Sequence, residues 1–92
     1  MNQEIPKEES LIEYPCQFTI KVMGAAIPEF RHAVNEIAKH HDPQFSESYT
    51  KEKFSKGNKY LSMSISIYAI SRDQLDAIYQ DLTSNELVSW VL

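Results

Sequence analysis

Leu61-Ser62-Met63-Ser64-Ile65-Ser66-Ile67-Tyr68-Ala69 alternates without a break, apolar at the odd positions and serine or tyrosine at the even ones. Successive side chains of a strand point to opposite faces, so the stretch predicts a strand with one buried and one open face. Ser71-Arg72-Asp73-Gln74 follows at once. Its spacing is that of a capping box, in which hydroxyl and amide satisfy orphan backbone donors reciprocally. Leu75, Ile78, Tyr79 and Leu82 then fall at i, i+3, i+4 and i+7, the single apolar stripe of an amphipathic helix. A helix striped on one side needs a sheet face to cover, and this strand belongs to one.

The same reading extends in both directions. Gly57-Asn58 is a two-residue hairpin signal, and residues 49–55 before it predict a weaker strand. Phe18, Ile20 and Val22 alternate with Gln17, Thr19 and Lys21, predicting a strand from Cys16 to near Gly24. Phe30, Ala33, Val34, Ile37 and Ala38 form another helical stripe, with Pro28 in its first turn and Asp42-Pro43 ending it. Residues 87–92 read as a fourth strand with Val88, Trp90 and Leu92 on one face. Residues 1–13 carry four glutamates and no period, which predicts a flexible N-terminal tail ahead of a single domain over 14–92. The order predicts an α+β, ferredoxin-like βαββαβ sandwich: one four-stranded antiparallel sheet with two helices on one face. Right-handed crossovers place the first and third strands in the centre.

Composition removes whole classes of function. A chain of 92 residues can bury roughly 64% of its extended surface, enough for one modest core. Two glycines, Gly24 and Gly57, cannot write a dinucleotide fingerprint, a Walker loop or a nucleophile elbow. The single cysteine, Cys16, forbids an intrachain disulfide and any multi-cysteine metal site. A net charge of −4 and a pI near 5.2 argue against general nucleic-acid binding. No apolar run is long enough to span a membrane, the first ten residues lack a secretory core, and one unpaired thiol suits a reducing compartment. The expected location is cytoplasmic.

Several blocks resemble one family of small bacterial proteins. Glu13-Tyr14-Pro15-Cys16-Gln17-Phe18-Thr19, Lys21-Val22-Met23-Gly24 and Ser55-Lys56-Gly57-Asn58 carry the likeness. The alternation over 62–67, the stripe over 75–82 and the ending Leu87-Val88-Ser89-Trp90-Val91-Leu92 extend it. Together they resemble the YbeD-like family, a domain of unknown function. The resemblance implies a fold similar to the ACT-type regulatory domains that bind small molecules and oligomerise. It implies no catalytic residue, no cofactor and no known ligand.

The candidate chemistry is sparse. His40 and His41 end the first helix, where adjacent side chains diverge by about 100° and converge poorly on a metal, so none is expected. Cys16 has only Lys21 near it in sequence and reads as a buried thiol. An enzyme using Cys16 or the His40/His41 region is an alternative that no constellation supports. Asp73, Asp76 and Asp81 fall on the polar side of the second helix.

The lysines are more informative, since residues 51–59 hold Lys51, Lys53, Lys56 and Lys59 against a single acid, Glu52. A turn at Gly57-Asn58 sets Lys53 opposite Ser62 and Lys51 opposite Ser64, on the open face with Thr19 and Lys21. Such a face suits an anionic ligand or an acidic partner, with nucleic acid bound through the lysine-rich hairpin as an alternative, although lysines on an edge strand also guard against aggregation. RNA stacking needs aromatics at the centre of the first and third strands, and the corresponding outward positions are Thr19, Lys21, Ser62, Ser64 and Ser66. The connection containing Gly24, Ala25 and Ala26 is a second ligand candidate, with Gly24 free to adopt positive φ beside a helix N-terminus. These features predict a non-catalytic regulatory or adaptor domain, acting through a protein partner or a small effector. They also predict a monomer or weak homodimer, associating through the uncharged C-terminal strand.

Overall fold

A computed structural model describes residues 12–92. The expected tail over 1–13 lies outside the described residues except for Ile12 and Glu13, which carry no regular structure. The elements are β1 (Cys16–Ala25), α1 (Pro28–His41), β2 (Lys51–Phe54), β3 (Tyr60–Ala69), α2 (Arg72–Ser84) and β4 (Val88–Val91). They form one antiparallel sheet in the order β2-β3-β1-β4, with the two longest strands central. The ferredoxin-like reading holds.

The core is where the two periodicities meet. Ile20 and Val22 of β1 and the five apolar side chains of β3 are buried against Phe30, Val34 and Ala38 of α1 and Leu75, Ile78 and Leu82 of α2. No described helix is long and apolar enough to cross a membrane.

Four local expectations are corrected. Tyr49, expected to begin the second strand, instead closes a 3-10 turn over 47–49, and the strand covers only four of the expected residues 49–55. The hairpin loop has four residues, 56–59, closed by the Ser55 N–H donating to the Tyr60 carbonyl at 2.9 Å. Gly57 and Asn58 both hold positive φ, 82° and 57°, as residue types that tolerate it. A four-residue loop and a two-residue turn share one midpoint, so the expected register survives: Lys53 faces Ser62 and Lys51 faces Ser64.

Gly24 does not turn the chain. It lies inside β1 without a positive φ, and its need for glycine is steric. A Cβ there would sit 2.5 Å from the Leu87 carbonyl oxygen and from two ring carbons of Phe30. The fourth correction follows from β4 beside it. Met23 pairs with Trp90 but Gly24 pairs with Val88, which leaves Ser89 as an extra residue in a β-bulge. The bulge breaks the expected alternation. Val88 and Val91 pack against the core, whereas Trp90 turns to the open face beside Met23.

Beyond residue 64, β3 has no strand on its outer side, because β2 is too short. Side chains take the missing strand's place. Asp42, 2% exposed, accepts from the Tyr68 N–H at 2.9 Å and from the Gln44 N–H at 2.9 Å. Gln74 accepts from the Ile70 N–H at 2.7 Å and donates to the carbonyls of Tyr68 and His41, at 3.3 and 3.0 Å. The capping box is therefore half as expected: Ser71 Oγ accepts from the Gln74 N–H at 3.1 Å, but the Gln74 amide serves the strand edge.

Two stability measurements check this account. Gly24→Ala should lower unfolding free energy by about 1–3 kcal/mol in urea titration, because backbone as well as a ring must move. Asp42→Ala, which leaves the Tyr68 N–H without its acceptor, should cost about 2–3 kcal/mol in the same assay.

Candidate functional site

The register of the sheet arranges the open face in rows. Leu92, Lys21, Ser64 and Lys51 lie across one row: Leu92 and Lys21 exchange backbone hydrogen bonds, Lys21 faces Ser64, and Ser64 faces Lys51. The next row holds Trp90, Met23, Ser62 and Lys53. On the other side come Thr19 opposite Ser66, then Gln17 opposite Tyr68. The structure thus brings together Lys21, Lys51, Lys53, Ser62 and Ser64, as their alternation and turn required.

It separates them from the second candidate. Gly24 is buried on the helix side, and Ala25 faces Tyr60 at the end of β1. The backbone donors of this connection are spent internally: the Ala26 N–H on the Lys59 carbonyl at 3.0 Å and the Ile27 N–H on the Ala25 carbonyl at 2.8 Å.

A cleft of about 830 Å³ lies over the polar half of the face. Gln17, Thr19, Ser64, Ser66 and Tyr68 form its floor. Asp42, Gln44, Ser46, Tyr49 and Lys51 wall it, because the chain between α1 and β2 crosses the uncovered edge of β3 where Asp42 anchors it, the Asp42 carboxylate being taken up by the Tyr68 and Gln44 N–H groups. Ser66 Oγ donates to Gln17 Oε1 at 2.7 Å, which fixes one part of the floor. On the helix side of this wall, Arg31 holds Glu52 through two hydrogen bonds of 2.7 and 2.8 Å. Lys39 reaches Glu47 at 2.8 Å. The carboxylates raise both cations above their usual pKa, by hydrogen bond first and charge second.

Hydroxyl and amide groups both donate and accept, so the cleft is equipped to recognise a small polar molecule by hydrogen bonds around one cation, Lys51. Its lining contains no histidine or cysteine. Cys16 is half-buried against the core. His41 Nε2 lies 2.6 Å from Asp81 Oδ2, tying α1 to α2, and the His40 ring meets His41 edge-on at 4.8 Å. Asp81 is therefore more than a solvated face. Among the described residues no group of three or more His, Cys, Asp or Glu is placed to hold a metal.

Gln17, Gln44 and Ser46 were not singled out from the sequence. The outward phase of β1 points to Gln17, but nothing local to residues 44–46 shows that they cross a sheet edge.

This architecture is that of a small one-sheet α+β domain, and its relatives are known. The chain belongs to the family described as "Protein of unknown function (DUF493)", which matches residues 9–92. The YbeD-like motifs identified this same family. A UPF0250 protein of Leptothrix cholodnii is 49% identical over 90 residues, covering 98% of this chain and 99% of its own. One from Bordetella pertussis is 46% identical over 88 residues, covering 96% and 97%. The solution structure of protein HP0495 from H. pylori superposes with a TM-score of 0.74 over 99% of this chain and 98% of that one. At 19% identity, that likeness establishes the fold alone.

Cys16 supplies a check on the site assignment. Its contact with the core should make it react with a thiol reagent much more slowly in the folded protein than in urea.

Proposed function

We propose that the protein is a non-catalytic regulatory domain that binds a small anionic effector in the polar cleft and relays its presence to a protein partner. The supporting observation is the cleft itself: a ligand-sized recess floored by hydroxyl groups, with one lysine at its wall and no nucleophile–base pair in its lining. Lys51 provides the positive charge for a carboxylate or phosphate, and the serines and tyrosines read its remaining polar groups. The ACT-like architecture agrees with such a role, and so does a single thiol suited to the cytoplasm. An enzymatic reading through Cys16 or the His40/His41 region has less support, because those side chains belong to the core and the helix layer. Nucleic acid also has less support, given the acidic chain and the Thr, Lys, Met and Ser side chains on the central strands.

Thermal melting against a panel of small carboxylates and phosphate esters tests the proposal. A ligand at about ten times its Kd contributes roughly 1.4 kcal/mol, a Tm rise of about 5–10 °C for a domain this small. The rise should vanish in Lys51→Ala, whose own melting stays close to the parent because the side chain is exposed. A panel without effect, or a rise that Lys51→Ala leaves intact, would remove the proposal.

A further inference from the structure

The bulge at Ser89 gives the open face a second half unlike the first. Trp90 is 50% exposed and Leu92 58%, although both are large apolar side chains. With Met23 and Tyr60 they line a recess of about 390 Å³ that adjoins the cleft but shares no lining residue with it. Tryptophan, tyrosine and methionine are the side chains that anchor interfaces, since each offers large area at modest entropy cost. Lys21 and Lys53 also line this recess, and Lys56 and Lys59 stand in the adjacent hairpin loop. Among the described residues no acidic side chain lines it. Glu52, the one acid of the hairpin, is occupied on the opposite face by Arg31.

We infer that this surface docks an acidic segment of a partner protein, which inserts one large apolar side chain between Trp90, Leu92 and Met23 while its carboxylates meet Lys21 and Lys53. Charge complementarity selects that occupant. A second copy packed face to face would set Lys21, Lys51 and Lys53 against their own symmetry mates. A nucleic-acid strand would find rings in Trp90, Tyr60 and Phe54, but its phosphates would meet a chain of net charge −4, which disfavours it relative to a short acidic segment seated between the lysines.

Trp90 is the chain's only tryptophan, so its fluorescence reports occupancy without a label. The probe is a short synthetic peptide with a central phenylalanine flanked by glutamates, compared with the same peptide bearing lysines in place of the glutamates. The acidic peptide should shift Trp90 emission to the blue, more weakly as salt rises, and the basic one should not. Lys21→Glu combined with Lys53→Glu should abolish the shift. With a fluorescein-labelled acidic peptide, anisotropy should show at least about tenfold weaker binding to Trp90→Ala, the loss expected on removing a central aromatic anchor. Trp90 lies outside the buried core, and an unchanged circular dichroism spectrum will show that this variant is folded. The inference fails if the acidic peptide leaves emission unchanged or if Trp90→Ala binds it as well as the parent does. It fails equally if a single-stranded oligonucleotide alone produces the lysine-dependent change. A blue shift that instead follows protein concentration, with a dimer in sedimentation, would assign the surface to a second copy and overturn it.

Discussion

The carboxylate of Asp42 stands where a strand would otherwise be. β3 is ten residues long and β2 only four, so the outer edge of β3 is left without a neighbour beyond Ser64. Backbone donors and acceptors at such an edge must find partners or water. At Tyr68 both find side chains: the N–H meets Asp42 and the carbonyl meets Gln74, whose amide also receives the Ile70 N–H. The Gln74 amide thus behaves like one peptide group of an absent strand. Because Asp42 follows α1 directly and Gln74 lies in the first turn of α2, the same bonds fix both helices to the sheet. They also oblige residues 42–50 to cross the strand edge, which raises the wall of the cleft.

Much of this fold is legible because period two and period three-to-four survive any tertiary context. The run from Leu61 to Ala69 could bury only one face, and the stripes of α1 and α2 could cover only that face. The hairpin register was also legible, since the midpoint at Gly57-Asn58 fixes the pairing whatever the loop length. What could not be read are the substitutions of side chain for backbone. Asp42 reads as a helix stop before proline, and Gln74 as a cap. Neither reading is wrong locally, but the bonds each makes to the strand edge depend on β2 ending early. The boundary of β2 itself was misjudged because residues 47–49 carry no alternation that separates a 3-10 turn from a strand.

The candidate site divides along the same line. Its lysines and serines follow from alternation, so they were found. Its apolar half arises from one extra residue, Ser89, which changes the phase of β4 between Val88 and Trp90. A pattern-based reading assigns all of 87–92 a single phase and puts Trp90 and Leu92 on one face with Val88. The error concealed the feature that distinguishes this face from a plain polar sheet. Gly24 was noticed for the wrong reason. Its lack of a Cβ admits Phe30 and the Leu87 carbonyl at the bulge, so its need for glycine is one of packing and not of positive φ.

The outward side of the cleft wall is fastened by Arg31 to Glu52 and by Lys39 to Glu47. Arg31, Asn35 and Lys39 follow one another at i, i+4 along α1, which sets Asn35 between those two ion pairs. Asn35 Oδ1 and Thr50 Oγ1 are both buried without a hydrogen-bond partner among the described residues. Exposed ion pairs are weakened by salt, and buried polar atoms without partners gain when water reaches them. The wall is therefore held less firmly than the sheet, and its local opening costs less than opening β1 or β3.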